Sequence, residues 1–492
     1  MTSQGVSNVG FSVSTISLDG LRKGRAITGN PPAMPLPVSA PLVDDSPDTE
    51  VSRTLQQLLG QIGGCKVYPL FITSSMAFLW TLCALSAISP AFMAPAGRCV
   101  ENCSFVTIQD ELEVNGSFID PAELTSSVYF FGNFLVGHFY ATLADKFGRR
   151  PVIVGSLLST GVAGVLGSLA PSFEYLLLAR FFQGSFFTPL TMVNWVLCGE
   201  SLPRKAHGAA SMAFGSCWVL GYCILAPLSL LFPTWRKLQL ASSMPNVFVA
   251  IFLYFTLPES ITFTAQTESC EKVERWIRKN EQLNGQRLNY QLSKIMESSR
   301  GENENKRTVR EIVREMVHNQ RMALHTLIEA FIWMLDFMLY CALSLTSTSL
   351  EDVDPLVSFL FSGIVELPAY LFLPLILKWI KLRTAVSSFH VLGSAALVAM
   401  FFLQPGSAVY LPVWLTAKFA ASCCYISCYV RGTDLFPAFC RTCCLGVCAT
   451  LCNIGAISAP YVFALDHWYS NSQFLVMAST SLLCVALVQL LP

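Results

Sequence analysis

Apolar residues in this chain gather into long runs, separated by polar breaks most of which are only a few residues wide. A helix needs ~20 apolar residues to cross the hydrocarbon of a bilayer. Twelve runs of about that length can be placed, beginning near Val67, Ser126, Pro151, Tyr175, His207, Leu238, Ala323, Pro355, Ala385, Ala408, Cys444 and Trp468. Inside lipid every backbone N–H and C=O must be paired within the segment, so such runs are helices. The pattern predicts an all-α membrane protein of twelve transmembrane helices in two six-helix bundles. Residues 1–66 are polar and rich in Ser, Pro and Gly, and are expected to form a disordered cytoplasmic segment. Residues 67–257 form the first bundle, 258–322 a cytoplasmic linker, and 323–492 the second bundle. The first apolar run is a full span rather than a short signal core, so no secretory signal is expected.

Charge sorts the breaks by side. Lys146, Arg149, Arg150, Arg204, Lys205, Lys378, Lys381, Arg383 and Arg441 fall in alternate loops together with the linker, which makes those loops, and both termini, cytoplasmic. The loop 94–124 is acidic and faces outward. It holds two glycosylation sequons, at Asn102 and Asn115. Cys99 and Cys103 lie in the same loop, and their pairing stays open. Within the linker, TESCEKVERWIRKNEQLNGQ reads as an amphipathic helix with Val273, Trp276 and Ile277 on one stripe. A solvated linker without a partner is the plainer reading of that segment.

Composition agrees with a membrane protein: 53% hydrophobic, 13% charged, 35 Phe, and a mean hydropathy of +0.51. A net charge of zero gives nucleic acid no electrostatic footprint. No Walker loop, zinc motif or nucleophile elbow is present, so the chain is not expected to be an enzyme or to carry a cofactor or metal. Of 18 cysteines the densest group is Cys423, Cys424, Cys428, Cys440, Cys443, Cys444, Cys448 and Cys452. No His accompanies them, and they read as small packing residues. His138, in the second span, reads as a hydrogen-bonded member of the bundle.

Ionisable groups at bilayer depth are costly unless they face a partner or a cavity. Asp336 in the seventh span, Glu366 in the eighth and Lys418 in the tenth each fall near the midplane on a rise of ~1.5 Å per residue. Midplane convergence between repeats is where secondary transporters bind substrate. Trp333 and Tyr340 flank Asp336 at helical spacing and supply aromatic walls for a charged ligand. Lys418 and Glu366 also fit a neutral buried pair that only holds the second bundle together. Arg431, near the cytoplasmic end of the tenth span, reads as snorkelling.

Several stretches carry a family resemblance. LADKFGRRPV (143–152) resembles the loop signature of the major facilitator superfamily, ARFFQG (179–184) resembles its fourth-span element through Arg180, Gln183 and Gly184, and LPES (257–260) resembles its first-half terminator through Pro258, Glu259 and Ser260. GIVELPAY (363–370), the run 418–442 and LCNIGAISAP (451–460) resemble the organic cation and anion transporters of the solute-carrier group. The resemblance implies that Asp145 lies against the start of the eleventh helix in an outward-facing state. Gly148 gives the turn, and Arg149, Glu200, Asp434 and Arg441 complete a breakable charge latch, with Arg150 beside it as a topological anchor. It also implies that Trp195 and Tyr425 line the cavity and that Asn453 belongs to the substrate site.

Departures from the family pattern matter as well. Asn453 stands where cation carriers have Asp and anion carriers Arg, Ala141 replaces a glycine, and the loop 378–385 has lost its Asp and Gly. The expected function is secondary active or facilitative transport of a small organic cation, zwitterion or anion by alternating access, as a monomer in the plasma membrane. A sugar-type carrier of the same fold and a non-transporting sensor or scaffold are the alternatives.

Overall fold

Small residues set how closely the helical rods of this protein approach, and the rods themselves follow the apolar runs. The computed structural model describes residues 54–93, 105–112, 121–304, 311, 314, 318–348, 350, 353–436, 440–467, 469 and 471–491. Both sequons, Cys99, Cys103 and residues 1–53 lie outside the described residues. Among the described residues eleven helices are long and apolar enough to cross a membrane: Val67–Met93, Arg149–Ser168, Phe173–Ser201, Arg204–Leu231, Trp235–Thr256, Gln320–Thr348, Pro355–Ile376, Leu382–Phe402, Tyr410–Leu435, Cys443–Val462 and Ser472–Leu490. One further rod, residues 121–147, runs as Pro121–Gly132, a π-helical turn Asn133–Gly137, and His138–Phe147. Glu123, Asn133, His138, Asp145 and Lys146 dilute its apolar character. Counted in chain order, these are spans one to twelve, the rod 121–147 being the second.

Two boundaries differ from the apolar pattern. The second span starts at Pro121 rather than near Ser126, because proline is tolerated in a first helical turn whose N–H groups need no partner. The twelfth starts at Ser472 rather than near Trp468, since residues Ala459–His467 form a 3-10 extension of the eleventh.

Span three packs on span six and span one on span five in the first half, while span seven packs on span eleven and span nine on spans ten and twelve in the second. The halves meet through span two against eleven and span five against eight. Glycine permits the tightest of these crossings. A Cβ on Gly184 would stand 1.9 Å from the carbonyl oxygen of Tyr129, and one on Gly132 2.2 Å from that of Phe181. Spans two and four therefore touch backbone to backbone. In the second half, a Cβ on Gly455 would stand 1.9 Å from the carbonyl oxygen of Met334, which brings spans seven and eleven equally close. Arg180 is fully buried at the first crossing. It donates to the Ser86 carbonyl at 3.0 Å and to Gln183 Oε1 at 2.9 Å, and lies over the Tyr129 ring. The ARFFQG element thus works as a clamp on spans one, two and four.

The linker is packed rather than solvated. Helix Cys270–Asn284 buries Val273 and Ile277 in one apolar cluster with Ile261, Ile295 and Met296 and with Leu55, Leu58, Leu59 and Ile62 of helix Leu55–Ile62. That last helix falls within the segment read as a polar leader. Its leucines recur at helical spacing, and Thr54 and Gln57 form a reciprocal capping box at its start. Trp276 meets the Tyr68 ring edge-on at 5.1 Å, which ties the cluster to span one.

Glycine substitutions should separate crossing from propensity. Gly184→Ala is expected to lower the thermal unfolding midpoint of the purified protein, at a cost of about 1–3 kcal/mol or more from overpacking. Gly155→Ala meets nothing within 4 Å and should gain about 0.5–1 kcal/mol from helix propensity. Equal effects of the two substitutions would contradict the backbone contact.

Candidate functional site

An ammonium and a carboxylate meet at mid-depth, buried and paired. Lys418 Nζ lies 2.9 Å from Glu366 Oε1, and neither side chain is more than 1% exposed. The ammonium also donates to Ser344 Oγ and sits 3.9 Å from the centre of the Tyr340 ring. Its positive charge is thereby met by an anion, a hydroxyl and a π face. Tyr340 then links the pair to the other half of the molecule, because its hydroxyl donates to Glu366 Oε2 at 3.1 Å and accepts from Trp218 Nε1 at 2.9 Å. Tyr425 stacks on Tyr340 at 5.3 Å and on Phe337 at 4.9 Å. Tyr222 closes the next layer with its hydroxyl 3.0 Å from Ser362 Oγ.

A second polar junction joins the halves at Asn453. Asn133 Nδ2 donates to Asn453 Oδ1 at 2.8 Å, and Asn133 Oδ1 accepts from the backbone N–H and hydroxyl of Thr188 at 3.0 and 2.7 Å. Asn453 spends its own N–H groups on the carbonyls of Ala449 and Thr450. A neutral amide suits this place because its partner is another amide. Asn133 opens a π-helical turn, and Thr188 immediately precedes another, Pro189–Val193, a local widening that frequently marks functional positions. His138 Nε2 lies 3.2 Å from the Ala449 carbonyl on the same seam. Hydrogen bonds from Ser127 to the Ile457 carbonyl and from Thr348 to the Ala91 carbonyl continue the contact toward the face opposite the basic loops.

The structure does not bring Asp336 to Glu366. Asp336 turns into the second half, where Oδ1 lies 3.4 Å from His390 Nε2 and Oδ2 accepts from the Cys428 thiol at 3.1 Å. Trp333 points elsewhere again, donating to Glu329 Oε1 at 2.9 Å. Residues three and seven apart on one helix share a stripe about 60° wide, and here that stripe divides between two neighbours. Arg431 does not snorkel, because its guanidinium is buried and binds Glu329 Oε2 at 2.7 Å. Trp195 lies near the basic face in the first half, beside Phe214, and lines a cleft of about 350 Å³ with Glu200, Arg204 and His207. Sequence reasoning missed Glu329, His390, Trp218 and Asn133. Glu329 had a signal, since it lies seven residues before Asp336 on the same helix. Nothing in the sequence pairs His390 with a span-seven acid.

At the basic face two of the family-like motifs, LADKFGRRPV and LPES, form one cluster with Glu200. Arg149 binds Asp145 Oδ1 and Glu200 Oε1, each at 3.1 Å. Glu259 accepts from the backbone N–H groups of Arg149, Arg150 and Ser260 at about 3 Å, so its carboxylate caps the third span, where anions are favoured. Burial raises the Glu259 carboxyl above its ordinary range, against the pull of those N–H donors. Gly148 makes the approach possible: its φ is +102°, and a Cβ there would stand 2.4 Å from Glu259 Oε2. Ser260 donates to Glu200 and caps the short helix Ile261–Thr267. Pro258 leads into this turn, and Arg150 reaches the Tyr254 carbonyl. Arg441 donates to the Phe436 carbonyl beside Asp434 in the second half. No ion pair among the described residues joins Asp434 or Arg441 to Asp145, Arg149 or Glu200, so in this conformation the latch residues form two separate groups.

Twelve rods in two halves, meeting around polar groups at mid-depth, define a multi-pass membrane transporter. Residues 70–460 match the Major Facilitator Superfamily, and the chain belongs to that family. Its relatives include the Caenorhabditis elegans protein B0252.3, 31% identical over 383 residues, with 78% of this chain and 77% of that protein covered. Solute carrier family 22 member 2 of Homo sapiens is 26% identical over 394 residues, covering 79% of this chain and 69% of the relative. Solute carrier family 22 member 3 of Mus musculus is 26% identical over 469 residues, covering 91% and 81%. These relatives agree with the solute-carrier resemblance read from the motifs. The inward-open xylose transporter XylE from E. coli shares the fold, with a TM-score of 0.60, 14% identity, and coverage of 85% of this chain and 94% of XylE.

Breaking one side of the Glu366–Lys418 pair leaves an uncompensated buried charge. Glu366→Leu alone should destabilise by about 3–5 kcal/mol, whereas Glu366→Leu with Lys418→Met should recover most of that loss. Thermal denaturation of the purified variants checks this, and additive single effects would contradict a coupled pair.

Proposed function

We propose that this transporter carries small organic ions by alternating access and that the Tyr340–Glu366–Lys418 cluster is where the cargo's charge is read. The relay from Trp218 through Tyr340 to Glu366 supports this most strongly, because it links a charged pair in one half directly to the other half. A bound cation competes with Lys418 for Glu366, and a bound anion competes with Glu366 for Lys418. Either exchange loosens the hold of Tyr340 on Trp218 and so couples occupancy to the seam between the halves. Asn453 and Asn133 lie on the same seam, Tyr425 and Tyr340 give the aromatic wall, and Asp336 and Trp333 act from behind it through the seventh helix. The names of the solute carrier family 22 relatives support transport of a dissolved solute, and the charged pair supports an ionic one.

Arg149, Asp145 and Glu200 form the first-half side of the latch, and Asp434 and Arg441 the second-half side, engaging when the basic face closes. The basic loops face the cytoplasm with both termini, in the plasma membrane, and one chain suffices for transport. Glycans at Asn102 and Asn115 belong to the outer loop.

Uptake of labelled amines, carboxylates and hexoses into proteoliposomes, with and without a membrane potential, tests the reading. Ionic members should accumulate, and Glu366→Gln and Tyr340→Phe should each reduce that uptake at least tenfold at unchanged protein content. Accumulation of hexoses alone would favour a sugar carrier, and accumulation of nothing a sensor or scaffold; either outcome overturns the proposal.

A further inference from the structure

Two lone pairs face each other inside the second half. His390 is 1% exposed and Asp336 likewise. The Ser481 hydroxyl donates to the His390 carbonyl at 3.0 Å, so toward His390 Nδ1, 3.2 Å away, its oxygen must accept. This network assigns the ring hydrogen to Nδ1 and leaves Nε2 bare. Nε2 points at Asp336 Oδ1 over 3.4 Å, and among the described residues neither atom accepts or donates another hydrogen bond. Such an arrangement calls for a positive charge between them.

A third donor selects the kind of charge. The ligand atoms of Asp336, His390 and Cys484 all lie within 4.8 Å of one another, and they come from spans seven, nine and twelve. Nitrogen and oxygen bound tetrahedrally at ~2.0–2.1 Å stand about 3.4 Å apart, and a thiolate at ~2.3 Å stands about 3.6 Å from that oxygen. The Nε2–Oδ1 separation already has this value, and the sulfur needs to move by about an ångström at most. Ser481 on Nδ1 is the outer partner that fixes a metal-binding imidazole. The Cys428 thiol on Oδ2 does the same for the carboxylate.

We propose that Asp336, His390 and Cys484 bind a zinc-class divalent cation that clips spans seven, nine and twelve together. On binding, Cys484 releases its thiol proton to solvent and coordinates as thiolate. The two positive charges of the ion are then cancelled by one carboxylate and one thiolate, and the neighbouring Glu329–Arg431 pair is already neutral, so no net charge is left in the bundle. Three protein donors leave the fourth position of a tetrahedral ion to a water. Sequence spacing gives no hint of this site, because its three donors are far apart along the chain.

Full-length protein, produced with zinc in the medium and purified without a polyhistidine tag, should contain about one zinc per chain by mass spectrometry of the metal. His390→Ala and Cys484→Ser should each lose at least fivefold of it, while Cys440→Ser with Cys443→Ser retains it. Cobalt-loaded wild type, which needs no variant to fold, should show a thiolate-to-cobalt charge-transfer band. Metal-free wild-type protein would overturn the proposal and leave a proton shared by His390 and Asp336. Zinc unchanged in both single variants, or cobalt bound without the thiolate band, would overturn it equally.

Discussion

Charge buried at mid-membrane depth must be neutralised side chain by side chain, and that constraint organises the second half of this transporter. Glu366 and Lys418 cancel one another, and Glu329 and Arg431 do the same a few turns away. The ammonium of Lys418 is further held by a hydroxyl and an aromatic face. A carboxylate left alone at this depth would cost several kcal/mol. Tyr340 is shared between the pair and Trp218 of the first half, so any change in how the pair is satisfied reaches a contact between the two halves.

The first half is held differently. Its closest crossing shows no charge pair among the described residues, only glycines that let backbones touch and an arginine whose Nη1 donates to a carbonyl and an amide oxygen. At the basic face the cluster of Asp145, Arg149, Glu200, Glu259 and Ser260 unites three separate stretches of sequence. Asp145 is 81% exposed at the edge of that cluster, so its bond to Arg149 contributes little to stability and leaves the carboxylate free to change partners.

Much of the fold was legible because lipid leaves few choices: apolar runs of a given length become helices, and their count and order follow. Glu366 and Lys418 were legible for the same reason, since charge stands out in such runs. Direction was not. Helical spacing placed Trp333, Asp336 and Tyr340 on one stripe, yet the stripe is wide enough for Trp333 to turn to Glu329, Asp336 to His390, and Tyr340 to Glu366. Arg431 read as an interfacial base because its buried partner lies on a different helix. The helix Leu55–Ile62 was hidden by the composition of its surroundings, although its own leucines carry the period.

The claim that cargo charge competes with the internal pair is tested most directly by measuring cation and anion affinities in a Lys418→Gln chain whose fold is verified by its elution as a monodisperse protein. Competition predicts tighter cation binding than in the unaltered chain, because Glu366 has lost its resident ammonium, together with loss of anion binding. Cation and anion affinities both equal to those of the unaltered chain would contradict it and reduce the pair to a structural fastening.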